Sequence, residues 1–138
     1  MADQPEKIYF TSVGKVILAH LPPEIRQNLI DSIVLEPVTP QTIASKEVLI
    51  ENLEQIVKMG YAIDDEENII GVRCIAAPIR NFRGKINYCI GISGPTMRME
   101  TNMIPKYAEM VKAVAEKISS KLGYKIEERT EERVKEAI

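Results

Sequence analysis

Two cysteines, Cys74 and Cys89, and one histidine, His20, are all the thiol and imidazole ligands this chain has. They form neither a Cys-x-x-Cys pair nor a Cys/His zinc spacing, which excludes a structural zinc site and leaves no metal or cofactor to expect. Nor is there an apolar run of membrane-spanning length. The start, Met-Ala-Asp-Gln-Pro-Glu, is too polar for a signal peptide. A net charge of −2 argues against a broad basic face for nucleic acid. These absences predict a cytoplasmic protein with reduced thiols and no membrane partner.

What is present suits one compact domain over residues 1–138, with 45% hydrophobic and 28% charged residues. Ile8-Tyr9-Phe10 reads as a short extended piece. Thr11 and Ser12 are N-cap candidates for an apolar stretch from Val13 to Leu21. Pro22-Pro23-Glu24 opens a second helix running to about Ser32, with Ile25, Leu29 and Ile33 as its buried positions. Glu36 to Pro40 cannot continue a helix. The spacing predicts a third helix over Lys46 to Met59, burying Leu49, Leu53, Ile56 and Val57, with Gly60 as its C-cap.

The period then changes. Tyr61 to Asp64 reads as a short strand, Asp65-Glu66-Glu67-Asn68 as a solvated acidic turn, and Ile70–Arg80 and Lys85–Ser93 as paired strands around an Asn81–Gly84 turn. A long helix follows over Met103 to Leu122, with Tyr107, Val111, Val114, Ile118 and Leu122 on one face and Gly123 as its cap. The tail, 124–138, is charge-rich and reads as a frayed helix or a disordered end. Helices on one side of a mainly antiparallel sheet make this an α+β domain.

Register decides what the hairpin presents. With Arg80 opposite Lys85, Cys74 faces Gly91, Val72 faces Ser93 and Ala76 faces Cys89. One face then carries Ile75, Ala77, Ile79, Ile86, Tyr88, Ile90 and Ile92, a core face. The other carries Val72, Cys74, Ala76, Asn87, Cys89, Gly91 and Ser93. Those small groups either leave a concavity or let another layer pack closely. A bulged register would mix the two sets. Pro78, lacking an N–H, implies a bulge or an edge position.

Four ordered segments carry a resemblance. They are Thr11-Ser12-Val13-Gly14-Lys15 with Leu18-Ala19-His20, Gly60-Tyr61-Ala62-Ile63-Asp64-Asp65-Glu66-Glu67, Gly71 through Ile79, and Ile90-Gly91-Ile92-Ser93-Gly94-Pro95. In order and spacing, over roughly Thr11 to Gly123, the chain resembles the effector domain of the IclR family of transcription regulators. The resemblance implies a GAF-like fold that senses a small organic acid and associates as a dimer or tetramer. It implies contact with DNA only through an N-terminal domain absent from this sequence, which makes the chain either truncated or free-standing. Its pocket would fall on the backbone at Ser12 and Val13 and on Asp64, Cys74, Gly91 and Ser93. Gly91 departs from relatives that carry a hydroxyl there, which removes a polar contact, leaves more room near the sheet and puts small keto acids in doubt.

Two other functions compete: a small enzyme using Cys74 with Asp64 or His20, and an oligomerisation module with a vestigial pocket. Cys74 lacks a neighbouring base in the sequence and reads as inert, and His20 reads as a capping or half-buried residue. Gly14-Lys15 is no phosphate loop, because Tyr9 and Val16 stand where that motif needs glycine and Ser/Thr.

Overall fold

The structure, a computed structural model, describes residues 5–125. In chain order it comprises a 3-10 helix Pro5–Phe10, α1 (Ser12–Ala19), α2 (Pro23–Ser32), α3 (Lys46–Met59), β1 (Ala62–Asp65), β2 (Val72–Arg80), β3 (Ile86–Pro95), a 3-10 turn Thr101–Met103 and α4 (Ile104–Lys121). The strands form one antiparallel sheet in the order β1-β2-β3. The α+β class stands.

The boundaries follow local chemistry. The Thr11 hydroxyl accepts from the Gly14 amide at 3.0 Å, capping α1. The Ser45 hydroxyl does the same for α3 through the Val48 amide, and Gly60 ends α3 in the left-handed region at φ 82°. Four expectations need correction. Ile8–Phe10 is not extended, because it lies in the 3-10 helix that packs under α1. In α2 Ile30 is buried in place of Ile25, and in α3 Val57 is exposed. In α4 the buried stripe is Ile104, Ala108, Val111, Ala115 and Ser119, so Val114 and Leu122 face solvent. Alanines form that stripe because α4 lies close against β2. The charged tail from residue 126 onward lies outside the described residues.

The hairpin register is two residues away from the expected one. Cys74 pairs with Ser93, Ala76 with Gly91 and Pro78 with Cys89, while Val72 pairs with Pro95. A two-residue slip keeps the parity of Tyr88 through Ser93, so those residues stay on their predicted faces. Ile86, however, falls opposite Arg80 on the other face, and Tyr88 and Ile92 are exposed where a core face was expected. The slip is absorbed near the turn, where Ile79 pairs with Tyr88 but Arg80 with Ile86, leaving Asn87 as an extra residue. Pro78 lies beyond the Ala62–Ala76 pair that ends β1, where β2 has a neighbour only in β3.

Helices flank both sides of the sheet, not one. Ile75, Ala77 and Ile79 pack against α4, while Ala62 and Ala76 pack on the other face into a core with Val16, Leu49, Leu53 and Ile56. Full burial of each large side chain there contributes roughly 1.5–3 kcal/mol. The small-residue face therefore has two ends. At Ala76 the small side chain lets the helical layer close down; at Cys74 and Ser93, past the first turn of α1, the layer stops and the sheet is open.

Candidate functional site

At that open end lies a cavity of about 380 Å³, bounded by Thr11, Ser12, Val13, Asp64, Asn68, Cys74, Gly91, Ile92 and Ser93. All six residues expected there line it. Thr11, Asn68 and Ile92 line it as well, although the sequence marks Thr11 only as a helix cap, Asn68 as part of a solvated turn and Ile92 as a core-face residue.

The cavity has three chemically different walls. The first is the start of α1. The Gly14 amide is held by the Thr11 hydroxyl and the Lys15 amide donates to the Thr11 carbonyl at 3.0 Å. The Ser12 and Val13 amides, first in the helix, have no partner among the described residues. They sit at the positive end of the helix dipole, a setting that favours an anion.

The second wall is Asp64, whose carboxylate is buried at 2% exposure. Its Oδ1 accepts from the Glu67 amide at 2.8 Å and the Asn68 amide at 3.2 Å. Burial pushes the Asp64 carboxyl above the ordinary range; the two amides and Lys15 pull it back, and Asp65 adds a smaller upward push.

The third wall is the sheet. Cys74 and Ser93 lie opposite each other, and the Cys74 thiol is pushed up by burial against a weaker downward pull from its hydrogen bond to Ser93. A thiol held in its protonated form is a poor nucleophile. His20 lines a separate cavity with Ile17, Arg80 and Lys85 and bonds through Nδ1 to the Val16 carbonyl at 2.8 Å, so it is not a base for Cys74.

Gly91 plays a different part from the one expected. A Cβ there would lie 2.7 Å from the Ile75 carbonyl oxygen and 3.3 Å from the Ala76 Cβ. Its missing side chain lets β2 and β3 approach and does not simply leave space for a ligand. A smaller hollow of about 170 Å³ lies between α4 and β2, bordered by Arg80, Lys112, Glu116, Ser119 and Tyr124; its Ser119 Oγ is already bonded to the Arg80 amide and the Ala115 carbonyl.

The largest miss concerns the acidic turn, which is not solvated. Glu67 is 8% exposed, and both its carboxylate oxygens lie 3.0 Å from the ammonium of Lys15, itself 2% exposed. Asp65 pairs with Arg73 at 2.7 Å, and Glu66 accepts from the Gly71 amide. A signal existed: Lys15, Leu18 and Ala19 share one helix face by their spacing, and a lysine on a buried face requires an acid.

The family model described as bacterial transcriptional regulator IclR C-terminal matches residues 4–120. The chain belongs to this family. It is 36% identical over 112 residues to the HTH-type transcriptional regulator BhcR of Paracoccus denitrificans, covering 81% of this chain and 40% of that protein. Over 113 residues it is 34% identical to KdgR of Escherichia coli, covering 82% and 43%. The IclR-type fold is likewise similar to that of Thermotoga maritima IclR, with a TM-score of 0.78 at 40% identity over 85% of this chain and 47% of that one. It is also similar to the inducer-binding domain of a PobR double mutant from Acinetobacter, solved as a complex with 3-hydroxybenzoic acid. There the TM-score is 0.75 at 26% identity, covering 81% and 65%. The curated relatives named are transcriptional regulators, and this IclR-type chain spans about two-fifths of their length. Among the described residues no helix is long and apolar enough to cross a membrane.

Proposed function

We propose that this IclR-type domain senses a small organic acid in the cavity between α1, Asp64 and the β2–β3 hairpin. The acid's carboxylate accepts from the Ser12 and Val13 amides, and its other end lies against Cys74, Gly91 and Ser93. Asp64 faces a ligand hydroxyl, a water or, by taking up a proton, the acid itself. One observation carries this reading: uncommitted helix N-terminal donors and the open end of the small-residue sheet face border one cavity. The 3-hydroxybenzoic acid complex of the PobR domain supports the ligand class.

Regulation follows from differential binding. An acid that fits one arrangement of the domain or its oligomer better than another shifts the population toward it, and attached DNA-binding domains follow.

Thermal unfolding with a panel of small acids, including 3-hydroxybenzoate and pyruvate, tests the reading. An acid at a hundred times its Kd adds about 2.7 kcal/mol, on the order of 10 °C in Tm for a domain of this size. A panel in which no acid raises Tm, or one in which Ser93→Leu leaves the effect intact, overturns it.

A further inference from the structure

The Lys15–Glu67 pair lies behind the cavity wall and touches the backbone on both sides of Asp64. The Lys15 ammonium donates to the Ile63 carbonyl at 2.6 Å and to both Glu67 carboxylate oxygens, so all three of its hydrogens have acceptors. Glu67 Oε2 in turn accepts from the Asp65 amide at 3.1 Å. Ile63 and Asp65 are the strand neighbours of Asp64, and alternation along β1 turns Asp64 the other way. From that side Asp64 accepts from the Glu67 and Asn68 amides. The loop closes on itself: Lys15 holds Glu67, and Glu67 holds Asp64 through its own amide.

Lys15 is also the fourth residue of α1, whose first two amides form the anion-favouring wall. The pair thus ties that helix start to the strand carrying Asp64. A buried ion pair is a poor source of stability, since apolar residues of the same volume often do as well or better. What apolar residues cannot do is fix the spacing between two backbone segments through directed bonds. We propose that Lys15 and Glu67 are positioning residues for the acid site, setting where Asp64 stands relative to the Ser12 and Val13 amides while touching no ligand themselves. This rests on the acid-sensing reading for its consequence in binding, but not for its geometry.

The test pairs Lys15→Met/Glu67→Leu with the conservative Glu67→Gln, which keeps an acceptor for Lys15 and for the Asp65 amide. Three quantities are read: Tm, the Kd for 3-hydroxybenzoate or whichever panel acid binds the unaltered chain, and the Asp64 carboxyl titration by carbon-13 NMR. The groups acting on that carboxyl are Lys15 from α1, Asp65 and the Glu67 and Asn68 amides from its own strand and turn, and it acts in turn on Cys74 of β2. In the double variant Tm is expected to stay within a few degrees while affinity falls about tenfold or more. The Asp64 titration moves further up, because a cation and two well-placed amides are withdrawn together. Glu67→Gln should recover most of the affinity. Unchanged affinity and an unchanged Asp64 titration in a folded double variant overturn the proposal, as does a Glu67→Gln affinity as low as the double variant's. The Tm of Glu67→Gln falls in either case, because the buried Lys15 ammonium loses its counter-charge. If no acid binds the unaltered chain, the sensing reading fails alone, and the Asp64 titration still decides the positioning role.

Discussion

Gly91 and Ser93 sit two residues apart on one strand and border the same cavity, yet they differ in what a side chain would meet. A Cβ at Gly91 runs into the fixed Ile75 carbonyl, whereas Ser93 is exposed and already carries its side chain into open space. Gly91→Leu is therefore expected to destabilise by roughly 1–3 kcal/mol through overpacking. Ser93→Leu should unfold at nearly the unaltered temperature while blocking acid uptake. Urea unfolding of the two variants beside acid titrations checks both, and a stable Gly91→Leu would show that the strands are free to part. Asp64 gives a pH prediction. Its folded pKa is raised by burial, so as pH climbs the unfolded chain releases its proton first and stability falls through the window between the two values. Asp64→Asn keeps the acceptor oxygen without the charge. Its stability advantage should be largest near neutrality and vanish below the ordinary carboxylate range. For the same reason acid binding by the unaltered chain should weaken as pH rises, because an anion beside Asp64 favours its protonated form. Denaturation and calorimetry across pH 3–8, a window on the order of the carboxylate and neutral ranges, separate the two curves. Parallel pH curves for the two proteins would contradict both claims.

Among the elements, α1 does most to position the site, and Gly14 lets it do so. A Cβ at Gly14 would stand 2.3 Å from the Ile8 carbonyl oxygen and 2.6 Å from the Thr11 hydroxyl that caps the helix. The first is backbone, and the second is the capping side chain, which cannot turn away without giving up its bond to the Gly14 amide. Gly14→Ala is thus expected to destabilise by about 1–3 kcal/mol, although alanine is the better helix former by roughly 1 kcal/mol. It should also weaken acid binding, because the Thr11 cap and the Ser12 and Val13 amides shift together. Chemical denaturation reads the first effect, and a gain in stability would mean that helix propensity prevails over the contact. The turn after β1 is tied in as firmly: the Thr39 and Thr42 hydroxyls donate to the Glu66 and Glu67 carbonyls at 2.6 Å, joining the segment before α3 to the site's acidic turn.

For the molecule as a whole, the open feature is β3. Among the described residues it is hydrogen-bonded on one side only, carries no charge from Ile86 to Pro95, and exposes Tyr88 at 68% beside Ile79 on the α4 side of the sheet. An uncharged edge strand of ten residues is a template for pairing with another chain. Self-association at micromolar concentration is the expected outcome, with Tyr88→Lys shifting the equilibrium toward monomer. Light scattering that finds monomer alone for the unaltered chain would refute it. The isolated domain should show no sequence-specific DNA complex at physiological salt, given a net charge of −2; a discrete gel-shift species would refute that.

The sequence by itself determined the elements and most of the cavity. Helix periodicity, Thr11, Ser45 and Gly60 set α1 and α3 because caps act within a few residues. The ordered motifs gathered Ser12, Val13, Asp64, Cys74, Gly91 and Ser93 around one space. Strand alternation fixed the faces of Tyr88 through Ser93, since parity survives a slip of two, but not that of Ile86 beyond the bulge. Only the tertiary structure decided the slip itself, which depends on an extra residue at Asn87 that no local pattern marks. It alone placed a helical layer on each side of the sheet, closed one end of the small-residue face and left the other open. It also buried Lys15 against Glu67. In sequence those two are a helix lysine and a turn glutamate 52 residues apart. Charge pairing between such distant groups is set by how the chain packs, and local propensity carries no information about it.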